Sequence, residues 1–194
     1  MKKIPALLLT GFLSAMMALP ACVTTSASLG AKSIKAPYAT SLRQATTYAW
    51  YQSEPQGQPE YINGYKASLH KSLVKAVEQQ MQAQGYTKVA QNPDVLVAYD
   101  VSVSVPKEKD KPENFSEGFG YSYAYMTGYR YDYGQADMPG YRSVDLFKEG
   151  TLIIDLINPR SNMLLWRGWA EGALSPGAGS GAVEKRVEEV LEQL

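Results

Sequence analysis

Two apolar runs on either side of a turn, between Lys148 and Gly172, constrain what this chain can fold into more than any other stretch. The first run is Thr151 to Ile157, the turn is Asn158-Pro159-Arg160-Ser161-Asn162, and the second run is Met163 to Ala170. Apolar runs bounded by Asn, Pro and Ser predict a β-hairpin with a loop of a few residues. Side chains alternate across a strand, so Leu152, Ile154 and Leu156 share one face, as do Leu164, Trp166 and Gly168. Placing Ile154 opposite Trp166 joins the two sets. Thr151, Ile153 and Asp155 then lie on the other face beside Leu165, Arg167, Trp169 and Glu171, where Asp155 and Arg167 are set for a structural cross-strand ion pair. Both faces are partly apolar, which places the hairpin inside a sheet and not at a wet edge.

The first 21 residues do not read as part of that fold. Lys2 and Lys3 precede an apolar run from Ala6 to Leu19 that is short for a membrane span. The run ends Leu19-Pro20-Ala21-Cys22, which resembles the lipobox of bacterial lipoproteins. The resemblance implies a signal peptide over 1–21, cleavage before Cys22 and lipidation of Cys22. Multiple acyl chains make such an anchor stable, at about 0.8 kcal/mol per buried methylene. Val23 follows Cys22 where lipoproteins retained at the inner membrane carry Asp, so the same resemblance implies the outer membrane, on its periplasmic face. Cys22 is the chain's single cysteine, which leaves no disulfide to support the mature domain.

Residues 22–40 read as a flexible tether rich in Thr, Ser, Ala and Lys. Leu42 to Gln52 is rich in β-formers and reads as a first strand. Tyr61 to Gln84 reads as a helix with Ile62, Tyr65, Leu69, Leu73, Ala76 and Met81 on one stripe and Gly85 as its C-cap. Tyr86 to Ala90 is a short strand, and Asn92-Pro93-Asp94 a turn. Asp94 to Val105 alternates strictly, predicting a strand with Val95, Val97, Tyr99, Val101, Val103 and Val105 on a single buried face. A Tyr-rich insert spans 112–141 with little aliphatic content. After the hairpin and a Gly/Ser/Pro loop, Ala182 to Leu194 reads as a closing helix with Val183, Val187 and Val190 or Leu191 inward. At 194 residues one domain is expected, over 41–194. The element order predicts an α+β fold with one sheet of about four to five strands, mixed or antiparallel, and two helices packed on one face.

With these segments placed, the chain resembles the DUF4136 family of small exported bacterial proteins. The resemblance is carried by Thr47-Tyr48-Ala49-Trp50, Gln84-Gly85-Tyr86, Asn92 to Tyr99, Glu149 to Leu156 and Leu164 to Ala170. It implies fold and compartment and brings no catalytic residues with it.

Little in the residues points to a reaction. The net charge is zero, so no basic surface speaks for nucleic acid. The single histidine, His70, lacks the partners of a zinc site and reads as a helix-flank residue. There is no Gly-x-Ser-x-Gly elbow, and Gly177 to Gly181 lacks the Lys-Ser/Thr of a phosphate loop. Asp94 and Asp100 share a strand face, where turn capping and solvent exposure are the expected roles. No cofactor or metal is implied. Tyrosine combines apolar area with a polar tip, so Tyr121, Tyr123, Tyr125, Tyr129, Tyr131 and Tyr133 are the candidate partner-binding residues. Three roles fit the insert: an excursion without a partner, a dock for an envelope protein or glycan strand, or a contact with lipid headgroups. The sequence is therefore read as a lipid-anchored binding or scaffolding module of the envelope and not an enzyme. The alternative is an envelope hydrolase using acidic residues near the insert, which would show them converging in a cleft.

Overall fold

The fold was analysed in a computed structural model that describes residues 30–51, 67–102, 133–134, 138–142, 146–172, 174–175 and 177–194. The expected signal peptide, Cys22, the start of the helix expected from Tyr61, Val103, Val105 and Tyr121 to Tyr131 lie outside the described residues.

Six strands form one mixed sheet: β1 (Lys32–Lys35), β2 (Thr47–Trp50), β3 (Thr87–Lys88), β4 (Val95–Val101), β5 (Leu152–Ile157) and β6 (Leu164–Ala170). Their spatial order is β1-β6-β5-β4-β2-β3. The hairpin β5–β6 is interior, as its two apolar faces require. β2 runs parallel to both β3 and β4, while the other pairings are antiparallel. Parallel neighbours need a crossover, and α1 (Ala67–Ala83) supplies it between β2 and β4. α2 (Ser180–Leu191) packs against α1 and against β5 and β6.

The helix stripes fall as their periodicity dictates. Leu69, Leu73, Ala76, Val77 and Met81 of α1 are buried, as are Val183, Val187, Val190 and Leu191 of α2. Gly85 ends α1 at φ +89°, with its N–H donated to the Gln82 carbonyl and that of Tyr86 to Met81. This paired closure is the Schellman arrangement, for which glycine's freedom at positive φ suits the position. Beneath the helices lie Val97, Tyr99, Val101, Leu152, Ile154, Leu156 and Trp166. The Trp166 ring lies over Gly168: a Cβ there would sit 2.3 Å from Trp166 Cη2 and 2.8 Å from Val190 Cγ1. Glycine at 168 is thus what lets the indole lie flat between strand and helix.

Several expectations need correction. The tether does not extend to residue 40, because Lys32–Lys35 is an edge strand paired with β6, and Ala39–Gln44 is a 3-10 turn. With β1 added, the sheet has six strands and not four to five. β2 starts at Thr47, not Leu42. The hairpin register differs by two residues: Ile154 faces Gly168, and Leu156 faces Trp166. Half of the shift comes from the turn, which closes at Asn158–Met163, with the Asn158 side chain accepting from the N–H groups of Arg160 and Ser161 and Asn162 at φ +53°. The other half is a bulge at Leu156/Ile157, where Leu165 is extra. Beyond the bulge the two one-residue shifts preserve parity, so the faces assigned to Trp166, Arg167, Gly168 and Trp169 survive, while Leu164, paired with Ile157, falls on the face opposite Trp166. β4, finally, is buried on both faces, with Ala98 1% and Asp100 3% exposed. Asp100 is therefore not the solvent-exposed residue expected from the strand's alternation.

Candidate functional site

Among the described residues, the sheet face turned away from the helices carries a concentrated set of buried polar contacts. Register places Asp155 of β5 directly across from Arg167 of β6. The pair is bidentate, with Arg167 Nε donating to Asp155 Oδ1 at 2.7 Å and Nη2 to Oδ2 at 2.6 Å. Both side chains are buried, at 4% and 2% exposure. Arg167 Nη1 donates to the Arg142 carbonyl at 2.7 Å, and Nη2 also reaches the Tyr133 hydroxyl at 3.2 Å. The Tyr133 hydroxyl in turn bonds to Asp155 Oδ2, and the Tyr141 ring lies 4.8 Å from the guanidinium carbon. Burial by itself would weaken the guanidinium's hold on its proton, but Asp155, with Tyr133 and Tyr141 adding to it, outweighs that and the pKa is pushed further above the ordinary arginine value.

This network fastens the return limb of the insert to the sheet. Gly134 bridges to Met163 beside the hairpin turn, and the Leu164 N–H donates to the Gly134 carbonyl. The limb then passes Tyr141 and Arg142 at the ion pair and reaches Phe147, whose ring packs 5.5 Å from Trp169. Arg142 stacks over Phe147 at 4.2 Å and pairs with Glu171 at 3.0 Å. Met138 and Phe147 are buried, and Tyr133 and Tyr141 are partly so. The end of the Tyr-rich insert is therefore core, contrary to the reading of the whole insert as surface. Tyr133 is drawn out of the candidate binding set: its hydroxyl faces the buried ion pair, and its ring meets Tyr51 edge-on at 5.5 Å. Sequence reasoning placed Asp155 with Arg167 but missed Tyr133. Its only signal was its place as the last tyrosine of the run Tyr129, Tyr131, Tyr133.

A second polar cluster lies under α1. His70 Nδ1 is hydrogen-bonded to the Tyr99 hydroxyl, with the two rings stacked at 5.9 Å. Trp50 meets Tyr99 edge-on and donates its Nε1–H to Glu78 at 2.9 Å, and Lys88 pairs with the same carboxylate. Burial pushes the Glu78 pKa up, but the bonds from Lys88 and Trp50 outweigh it, and the carboxyl sits below its ordinary value. Burial, helped by the Glu78 charge, pushes the Tyr48 phenol up to about 12. These contacts tie α1 to β2, β3 and β4, so His70 is an inter-element contact. No group of three or more His, Cys, Asp or Glu suited to a metal ion occurs among the described residues.

Asp94 does the capping expected of it. Its Oδ2 accepts from the backbone N–H of Thr46 at 3.0 Å, from that of Thr47 at 2.9 Å and from the Thr47 hydroxyl at 2.8 Å. These bonds, the one from the Thr46 N–H foremost, hold its pKa below the ordinary 3.8. A carboxyl with a depressed folded-state pKa stabilises above its unfolded value and loses that contribution as pH falls through the folded one. Asp94→Ala should therefore lower the melting temperature at neutral pH, and the gap to wild type should shrink as pH drops below 3.8. A gap that stays constant down to that range would show the capping bonds to be inconsequential.

A family model described as a domain of unknown function, DUF4136, matches residues 34–194. No curated protein matches the chain. Three solved structures resemble it. A DUF4136 family protein from Bacteroides thetaiotaomicron has 15% identity and a TM-score of 0.48, over 84% of this chain and 92% of that one. A PDZ domain protein from Parabacteroides distasonis has 14% identity and a TM-score of 0.45, over 84% of this chain and 35% of that one. A PelC dodecamer from Paraburkholderia phytofirmans has 12% identity and a TM-score of 0.36, over 84% and 94%. No helix among the described residues is long and apolar enough to cross a membrane.

Proposed function

This chain belongs to the DUF4136 family, a domain of unknown function, and from that premise we propose that it is a lipid-anchored binding or scaffolding module of the bacterial cell envelope, held at the periplasmic face of the outer membrane through Cys22. The anchor rests on the Leu19-Pro20-Ala21-Cys22 lipobox and on Val23 after it. The binding role rests on one observation above all. The return limb of the Tyr-rich insert is locked to the sheet by the Tyr133–Asp155–Arg167 network. Tyr121, Tyr123, Tyr125, Tyr129 and Tyr131 thus stand in a segment whose C-terminal end is fixed to the rigid part of the domain, the arrangement a docking surface needs. The partner of that segment would be an envelope protein or a glycan strand. A hydrolase reading draws on Asp100 and Asp155, which share the sheet's second face, but Asp155 is engaged by Arg167 and sealed from solvent, which suits structure better than proton transfer.

Two experiments test the two halves separately. Cys22→Ser should abolish incorporation of radiolabelled palmitate and leave an uncleaved or soluble product; continued labelling would end the anchor reading. Replacing Phe115 to Tyr131 with a short Gly/Ser loop, while keeping Tyr133, should leave a folded, anchored protein, since long surface excursions cost little closure entropy. If the tyrosines dock a partner, in-cell crosslinks formed by the wild-type insert region should vanish in this variant. An unchanged crosslinking pattern would remove the binding role from the insert.

A further inference from the structure

We propose that the β1 edge of the sheet, with Lys32, Lys35 and Arg43, lies against the anionic phospholipid headgroups of the membrane that holds Cys22; the inference rests on the anchor reading above and adds an orientation to it. Three observations carry it. The first is distance. β1 begins ten residues after Cys22, and even a fully extended chain spans only about 35 Å over that length. The edge where the chain enters the fold is therefore the part kept near the bilayer. The second is charge. No Asp or Glu occurs before Glu54, while Lys32, Lys35 and Arg43 fall in that interval. All three are exposed. They stand on β1 and on the 3-10 turn that follows it against β6. β1 and the 3-10 turn thus carry cations and no acidic side chain of their own. Cations beside a lipid anchor draw a domain onto an anionic surface, each Lys or Arg adding to the attraction within a Debye length.

The third observation is the chemistry of the edge. β1 is the outermost strand and pairs on one side only, with β6. Its outer backbone groups need a polar medium, which headgroups and interfacial water provide. Tyr38, just beyond β1, is 41% exposed while its hydroxyl donates to the Leu164 carbonyl. An aromatic ring with its polar tip tied back is suited to the membrane interface. Lysines on an edge strand also discourage edge-to-edge pairing, and that role alone would need no membrane, so the test must separate the two.

The lipidated full-length protein is purified in detergent and reconstituted into phosphatidylethanolamine vesicles with and without phosphatidylglycerol. A fluorophore is placed at Thr40→Cys, on the 3-10 turn, or at Thr87→Cys, on the opposite sheet edge. Those edges are separated by five strand spacings, about 24 Å. Quenching by headgroup-linked nitroxide lipids is then read. The expected result is several-fold stronger quenching at position 40 than at 87, dependent on phosphatidylglycerol and relieved by high salt. The variant Lys32→Glu, Lys35→Glu, Arg43→Glu should still float with the vesicles and fold, as judged by circular dichroism, but lose the difference between the two probes. Equal quenching at both positions in floating wild-type protein, or a difference that survives charge reversal, overturns the proposal and leaves the anchor standing. Wild-type protein that fails to float overturns the anchor reading and the proposal with it.

Discussion

Arg167→Ala should destabilise the domain by about 3–5 kcal/mol, the range for stripping one partner from a buried ion pair. The substitution leaves Asp155 3% exposed with no cation facing it and strips donors from the Tyr133 hydroxyl and the Arg142 carbonyl. The cost arises mainly from the stranded carboxylate, so the double variant Asp155→Leu, Arg167→Met should recover much of it, since an apolar pair of similar volume removes both charges together. Urea denaturation of the three proteins checks this. If the double variant were no more stable than Arg167→Ala, the loss would come from the return limb's anchorage and not from the unpaired charge.

Trp166→Ala should cost a similar amount, about 3–5 kcal/mol, for a different reason. Trp166 is 1% exposed and fills the space over Gly168 and against Val190. Truncation opens a cavity between β6 and α2 that glycine at 168 cannot fill. For a domain of this size, the melting temperature should fall by roughly 10–15 °C. An unchanged melting curve would mean that the indole does not hold the helix layer to the sheet.

The parts of the fold visible in the sequence are those set by local periodicity. The hairpin faces followed from alternation, and the Asp155–Arg167 pair followed from the faces even though the register was two residues away, because a shift by two keeps parity. The α1 and α2 stripes and the Gly85 cap are equally local signals. β1 was not legible. Lys-Ser-Ile-Lys is four residues long, charged at both ends and set in a Ser- and Ala-rich stretch, and what makes it a strand is β6, more than a hundred residues on. The burial of Asp100 and the inward turn of Tyr133 were hidden for a related reason. Both depend on what covers the second face of the sheet, and over Asp155 and Arg167 that cover comes from Tyr133, Tyr141 and Arg142, in a segment whose composition resembles a surface loop. Low aliphatic content misled because tyrosines and an arginine stem can close a polar interior that leucines could not.

The placement of β6 between β1 and β5 bears on how the protein is made. A chain that emerges N-terminus first presents β1 long before the strand that will pair with it exists. β5 likewise waits on its far side, and both remain open until β6 arrives. β6 is the last of the six strands in chain order, so the sheet closes only after every other strand has been made. Pairings this distant in sequence fold slowly, because loop-closure entropy must be overcome before the contacts form. Until then the apolar strand edges are exposed to other chains, and an escort that holds the nascent polypeptide until its last strand is delivered would have most to protect here.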